Sequence, residues 1–220
     1  MNYDFHKAFT YIFKDEQKIQ KLLILFAVVL VGAFVPVIGA IISTLFLNGY
    51  YASNLNRRIF KPDGPAQEWN DISKIALVGL KMIGFTFVLS LLASLVALPV
   101  MFLTGTSLEQ SVNPVFMLFC VFLFLCLVLY SCVAVSIFAT NLKFASFFKF
   151  STIKFLMVDK LKETLIFVAI CILIGGATVV LSLVTFGIAI FVLVPYLYFV
   201  VSELQAQYVR KAFQIGENQA

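Results

Sequence analysis

The stretch LLILFAVVLVGAFVPVIGAIISTLFLNGYYA, residues 22–52, runs for 31 residues without a charge and governs how the remainder of the chain is read. A helix that crosses a bilayer takes about 20 predominantly apolar residues. The run is therefore long for one crossing and short for two, and Pro36 and Gly39 interrupt it. Either it crosses once, or it turns at Val35-Pro36-Val37-Ile38-Gly39 and returns. Proline removes a helical hydrogen bond and glycine tolerates the turn. The basic residues favour the return. Lys7, Lys14, Lys18 and Lys21 precede the run; Arg57, Arg58, Lys61, Lys74 and Lys81 follow it. Lys143, Lys149, Lys154, Lys160 and Lys162 form a third group, and Arg210 and Lys211 a fourth. If the run turns back, all sixteen fall on one side, as the cytoplasmic bias of Lys and Arg in short loops requires. Irregular backbone at that depth has to be buried in protein or face a wet cavity.

Composition agrees. Of the 220 residues 62% are hydrophobic and 12% charged, whereas soluble domains carry about 25% charge. Too little charge is available to coat a water-exposed surface, so lipid is the solvent for most of the chain. The net charge of +5 sits in short loops between apolar runs, which argues for positive-inside sorting and against nucleic-acid binding. The first apolar run begins only after Asp4, Asp15 and Glu16 and outlasts a signal-peptide core, so it is expected to be retained.

The expected architecture is an all-α membrane protein, a single domain over 1–220 with about six membrane-embedded helices. These are 22–35, 37–54, 75–103, 115–140, 165–184 and 188–208, the first pair being a short hairpin with Pro36 and Gly39 at its turn. Gly187 marks a second tight turn, after Thr185. Two interfacial amphipathic helices complete the picture. Over 3–14, Phe5, Ala8, Phe9, Ile12 and Phe13 form one helical stripe. Over 143–162, five lysines alternate with Phe144, Phe147, Phe148, Phe155 and Leu156, a pattern suited to anionic headgroups on the cytoplasmic side. Asp15 is a candidate cap for the helix carrying Lys18 and Lys21, and Asp71 for the helix after the Lys61-Pro62-Asp63-Gly64-Pro65 turn. Thr104–Asn113 is expected as an outer loop. Ser90/Ser94 and Ala93/Ala97, and the row Cys132, Ser136, Thr140, are small-residue stripes suited to close helix packing, with pore lining as the sharper alternative. The first and last hairpins share a turn glycine, a tyrosine cluster and a basic exit. An internal repeat explains this, and so does common membrane-exit chemistry.

Little in the chain suggests catalysis. No P-loop, HExxH, GxSxG or dinucleotide fingerprint occurs. Cys120, Cys126, Cys132 and Cys171 lie in apolar runs without a CxxC, and His6 is the only histidine, so neither a metal site nor a cofactor is expected and the protein is read as a non-enzyme. Trp69, Lys143, Lys149 and Lys154 are expected at the membrane interface. Glu203 is the one acid inside a late apolar segment. Hydration near the interface is its simpler explanation, and a polar vestibule with Gln207, Asn48 and Asn54 the more functional one. A permease- or channel-like unit is the leading function. An accessory or scaffold subunit is the alternative, and a lipid-acting enzyme using His6, Asp63, Glu68 and Asp71 the third. The partners expected are the lipid bilayer with its anionic headgroups and either a second copy or another membrane protein.

Several motifs stand in order: Phe9-Thr10-Tyr11-Ile12-Phe13-Lys14-Asp15, Pro36-Val37-Ile38-Gly39, Asn48-Gly49-Tyr50, Pro65-Ala66-Gln67-Glu68-Trp69-Asn70-Asp71, Val78-Gly79-Leu80-Lys81, Thr185-Phe186-Gly187 and Gln205-Ala206-Gln207-Tyr208. With them the chain resembles, over nearly its whole length, the prokaryotic membrane family catalogued as domain of unknown function 4013. One departure is the Pro-Ala-Gln-Glu-Trp spacing where Leu-Pro-Glu-Trp is expected. The resemblance implies a multi-span protein of a bacterial or archaeal cytoplasmic membrane, and it supplies no activity and no site residues; the sorting of the basic residues leads both termini to be expected on the cytoplasmic side.

Overall fold

The structure, a computed structural model, describes residues 3–35, 37–103, 114–185 and 187–215. Pro36, Phe186 and the outer loop expected over Thr104–Asn113 lie outside the described residues. Eight α-helices follow in order: α1 Phe5–Thr10, α2 Lys18–Phe34, α3 Ile38–Phe60, α4 Ile72–Leu103, α5 Pro114–Asn141, α6 Phe150–Lys154, α7 Leu161–Val184 and α8 Ile188–Phe213. No strand occurs among the described residues. The long helices are α2, α3, α4, α5, α7 and α8. Four are by themselves long and apolar enough to cross a membrane: Ile72–Phe102, Pro114–Asn141, Leu161–Val184 and Ala189–Phe213. Phe5–Lys14 and Lys18–Phe34 qualify together, bent by 100° at the break between them.

Local chemistry sets the ends. The Asp71 carboxylate accepts from the Lys74 amide at 3.0 Å and from the Ser73 hydroxyl at 3.1 Å, capping α4 as its position suggested. Gly187, at φ +85°, makes the turn into α8. Leu142, at φ 56°, closes α5 by donating its amide to the Phe138 carbonyl at 2.7 Å, and Lys81 Nζ holds the Leu142 carbonyl at 2.8 Å.

The two segments expected as interfacial helices are less regular than their patterns. The first is α1 followed by a 3-10 turn, Tyr11–Lys14. Its stripe divides: Ala8 and Ile12 are fully buried, while Phe5, Phe9 and Phe13 stay exposed. The second is three short pieces, a 3-10 turn Phe144–Phe148, then α6, then a π turn Phe155–Asp159. It breaks because its apolar residues are drawn inward. Phe147 lies between Phe85 and Phe138, with ring centroids 4.1 and 4.3 Å away, and Ile153 and Leu156 are buried in a separate cluster with residues of α3, α5 and α8.

The core lies at one end of the bundle, the end that carries the charges. Tyr50, Leu55 and Ile59 of α3, Ile75 and Phe85 of α4, Ile137 and Phe138 of α5, and Phe199, Leu204 and Tyr208 of α8 are buried there. The opposite halves of α4, α5 and α7 present Leu95, Phe102, Leu118, Phe122, Leu173 and Leu183 outward. Apolar exposure on this scale belongs in hydrocarbon.

α3 and α4 approach closely through two glycines. A Cβ on Gly49 would stand 2.0 Å from the Ile75 carbonyl oxygen, and one on Gly79 would stand 1.9 Å from that of Leu45. Each glycine admits the other helix's backbone, the close packing that small residues give in lipid. The stripe expected to do this on α4 does not. Ser90 and Ser94 are exposed, and their hydroxyls bond back to the carbonyls of Phe87 and Ser90 in their own helix. On α5 the expected row does pack, with Ser136 fully buried against α8. At the first hairpin a Cβ on Gly39 would meet the Val31 carbonyl oxygen at 2.3 Å, so α2 and α3 are in close contact at that point.

Candidate functional site

Glu203 anchors the charged end. It is fully buried, with no exposed surface, so interfacial hydration does not explain it. Its two oxygens are shared: Oε2 accepts from Arg58 Nε, and Oε1 accepts from Arg210 Nη2 at 3.2 Å and Gln207 Nε2 at 3.3 Å. Arg58, itself 1% exposed, also donates from Nη1 to the Gly64 carbonyl at 2.7 Å and lies 4.3 Å over the Tyr11 ring. Arg210 donates back to the Arg58 carbonyl. Two cations thus flank one carboxylate, and a second nitrogen of each donates to a backbone carbonyl. This is the condition under which buried charge is tolerated.

A second buried pair lies beside it. Asp15 meets Lys21 at 2.7 Å, both side chains 3% exposed. Asp15 also accepts from the amides of Gln17 at 2.9 Å and Ala66 at 2.8 Å, while Lys21 donates to the Ala66 carbonyl at 3.0 Å. The residue that caps α2 is Gln17, not Asp15 as expected; Asp15 instead belongs to an ion pair that clamps the 61–71 loop at Ala66. Burial pushes its carboxyl pKa up, but Lys21 and the two amides outweigh that and hold it below the usual range.

The same loop is held from α3. Tyr50 donates to the Gln67 carbonyl at 2.8 Å and stacks on Trp69 with ring centroids 4.6 Å apart. Asn54 Oδ1 accepts from the Gln67 amide at 2.9 Å, and its Nδ2 donates to Tyr11 at 2.9 Å and Ser202 at 2.6 Å. Gln205 donates to Ser136 at 2.8 Å and accepts from Tyr51. Gln207 ties in the start of the chain: it accepts from the Asp4 amide at 2.9 Å and donates to the Asp4 carbonyl at 3.1 Å.

Of the residues proposed as a vestibule, Glu203, Gln207 and Asn54 come together in this network. Asn48, six positions before Asn54 and half-buried, joins none of these bonds. Trp69 is half-buried and stacks on Tyr50, with its indole nitrogen buried and without a hydrogen-bond partner among the described residues. Lys143, Lys149 and Lys154 are exposed. Gly39 and Gly187 flank the two hairpin turns. Arg58, Arg210, Asp15 and Lys21 were missed as members of a site, since each reads from sequence as an ordinary flanking charge.

Above the network lies an open cleft of about 640 Å³, bordered by α1, the start of α2 and residues 62–68. Tyr11, Arg58 and Lys21 lie at its buried side, and His6, Lys14 and Glu16 are exposed around it. Lys7 bridges its rim to Asp63 at 2.9 Å and lowers that carboxyl's pKa. His6, Asp63 and Glu68 border the same cleft, whereas Asp71 caps α4 outside it. Among the described residues no three His, Cys, Asp or Glu side chains gather as a metal site would require.

A helical bundle with a bare apolar half and a charge-neutralised packed end is a multi-helix membrane protein. Residues 31–190 match the family described as "Protein of unknown function (DUF4013)", and the chain belongs to that family. No curated protein and no solved structure matches it. The matched residues include Gly49, Gly79 and the Trp69 loop, while Asp15, Lys21, Glu203 and Arg210 lie outside them.

Proposed function

We propose that the protein is a non-enzymatic scaffold of a prokaryotic cytoplasmic membrane, with six membrane-embedded helices holding the charged end and both termini on the cytoplasmic side. The carrying observation is that the buried charges Asp15, Lys21, Arg58 and Glu203, with the half-buried Arg210, are paired with one another and with backbone, and that Asp15, Lys21 and Arg58 line an open polar cleft. Such a framework presents a rigid mixed-charge surface to a partner protein. Native mass spectrometry of the protein taken from its own membrane tests this. A stoichiometric protein partner that is lost in Lys14→Glu/Glu16→Lys, with thermal stability retained, supports the scaffold. A partner-free homo-oligomer overturns it.

A permease-like reading has one observation in its favour. The polar residues Tyr11, Asn54, Ser202, Gln205 and Ser136 extend from the cleft wall into the helix interface. Uptake of a solute into liposomes, abolished by Asn54→Leu, would establish it over the scaffold.

A further inference from the structure

We infer that residues 143–162, the connector between α5 and α7 together with the first two residues of α7, are a docking strip for anionic lipid headgroups, with phosphodiester as the recognised chemistry. The inference rests on the membrane character of the chain and is independent of the scaffold reading.

Both ends of the connector are tethered to helices apolar enough to cross a bilayer. The strip must therefore lie along a membrane boundary. Its backbone is pinned from within: Phe147 is gripped between Phe85 and Phe138, Tyr130 donates to the Phe147 carbonyl at 3.0 Å, and Ile153 and Leu156 are buried. With that face spent, Lys143, Lys149, Lys154 and Lys162 are all exposed, and none forms an ion pair among the described residues. Five lysines stand against two acids, Asp159 and Glu163, over 143–163. Between the lysines Phe150 and Val158 project outward, 68% and 61% exposed. Exposed lysines alone would suit any polyanion. Lysines interleaved with outward apolar side chains suit a surface that offers phosphate above and hydrocarbon below. A nucleic acid in water would leave Phe150 and Val158 unburied.

Each lysine near an acidic surface contributes roughly fivefold to association. The full-length protein in neutral detergent should retain phosphatidylglycerol over phosphatidylcholine by at least about tenfold in native mass spectrometry, and 0.5 M salt should weaken that preference. Lys143→Gln/Lys149→Gln/Lys154→Gln/Lys162→Gln should abolish it, while the fourfold Lys→Arg variant keeps it. Should the Gln variant fail to fold, Lys149→Gln/Lys154→Gln, at the two most central exposed lysines, should reduce the preference at least fivefold. Equal retention of both lipids by the natural sequence overturns the inference, as does undiminished preference in a folded Gln variant. Displacement of the lipid by equimolar inorganic phosphate would assign a free-anion site and overturn it too, and so would tighter binding of an oligonucleotide than of phosphatidylglycerol vesicles.

Discussion

Replacing Gly49 by alanine adds one carbon where the Ile75 carbonyl oxygen already stands, 2.0 Å from the new atom. Carbon and carbonyl oxygen rarely approach closer than about 3.3 Å. α3 and α4 must therefore part by about 1.3 Å at their crossing, or one helix must bend. Neither yields easily, since the obstacle is backbone and the flanking Tyr50, Ala52 and Val78 are buried. Overpacking of this kind costs about 1–3 kcal/mol, and more where the backbone cannot shift. At about 2–4 °C per kcal/mol for a chain of this size, thermal unfolding in detergent should fall by several degrees. Gly79→Ala should behave alike, and the double variant should cost less than the sum, because parting the helices once serves both. Gly175 supplies the control: nothing lies within 4 Å of its Cβ position, so Gly175→Ala should be neutral or stabilising, since alanine has the better helix propensity by about 1 kcal/mol. If Gly49→Ala melts no lower than Gly175→Ala, the α3–α4 crossing is not as described and the reasoning fails.

Further outcomes follow from the charged end. Glu203→Gln leaves Arg58 and Arg210 facing a neutral group and should destabilise by about 3–5 kcal/mol in thermal unfolding; an unchanged melting point would show that the carboxylate is not the common counter-charge. Asp15 has a depressed native pKa, so its contribution is present above the unfolded value of about 3.9 and is lost as pH falls through the lower native one. The melting temperature should drop over that acidic window, and Asp15→Asn should flatten this part of the profile. Phe147→Ala should cost about 3–5 kcal/mol and expose 143–162 to limited proteolysis. Trp69 is the sole tryptophan, so Tyr50→Ala should shift the protein's emission to the red as the loop loses its stacking partner; unaltered emission would contradict the stack.

The long helices were legible because lipid imposes a simple rule, unbroken apolar length, and the charge grouping of residues 7–21, 57–81, 143–162 and 210–211 is visible by inspection. The Asp71 cap was legible for a similar reason: it is local. Glu203 was not, because its position near the end of α8 looks hydrated until Arg58, 145 residues earlier, is placed against it. The Gly49 and Gly79 pair sat inside recognisable motifs, yet Ser90 and Ser94 looked like the better packing stripe. Spacing along one helix says which side chains share a face, and only the partner's position says which face is used. The connector's lysines, expected at the membrane interface, are exposed at Lys143, Lys149, Lys154 and Lys162, while its regular helical form did not survive the pull of Phe147 into the core.

The 145-residue separation of Arg58 from Glu203 also has a consequence for biosynthesis. A ribosome adding about 5–20 residues per second needs roughly 7–30 s to cover that distance. During this interval Arg58 has no Glu203 to pair with, and the Asp4 backbone waits still longer for Gln207. The charged end therefore closes only when the last helix arrives. A nascent chain interrupted before α8 keeps its apolar helices but lacks the residue that locks them, which gives cellular quality control a simple mark by which to tell finished molecules from unfinished ones.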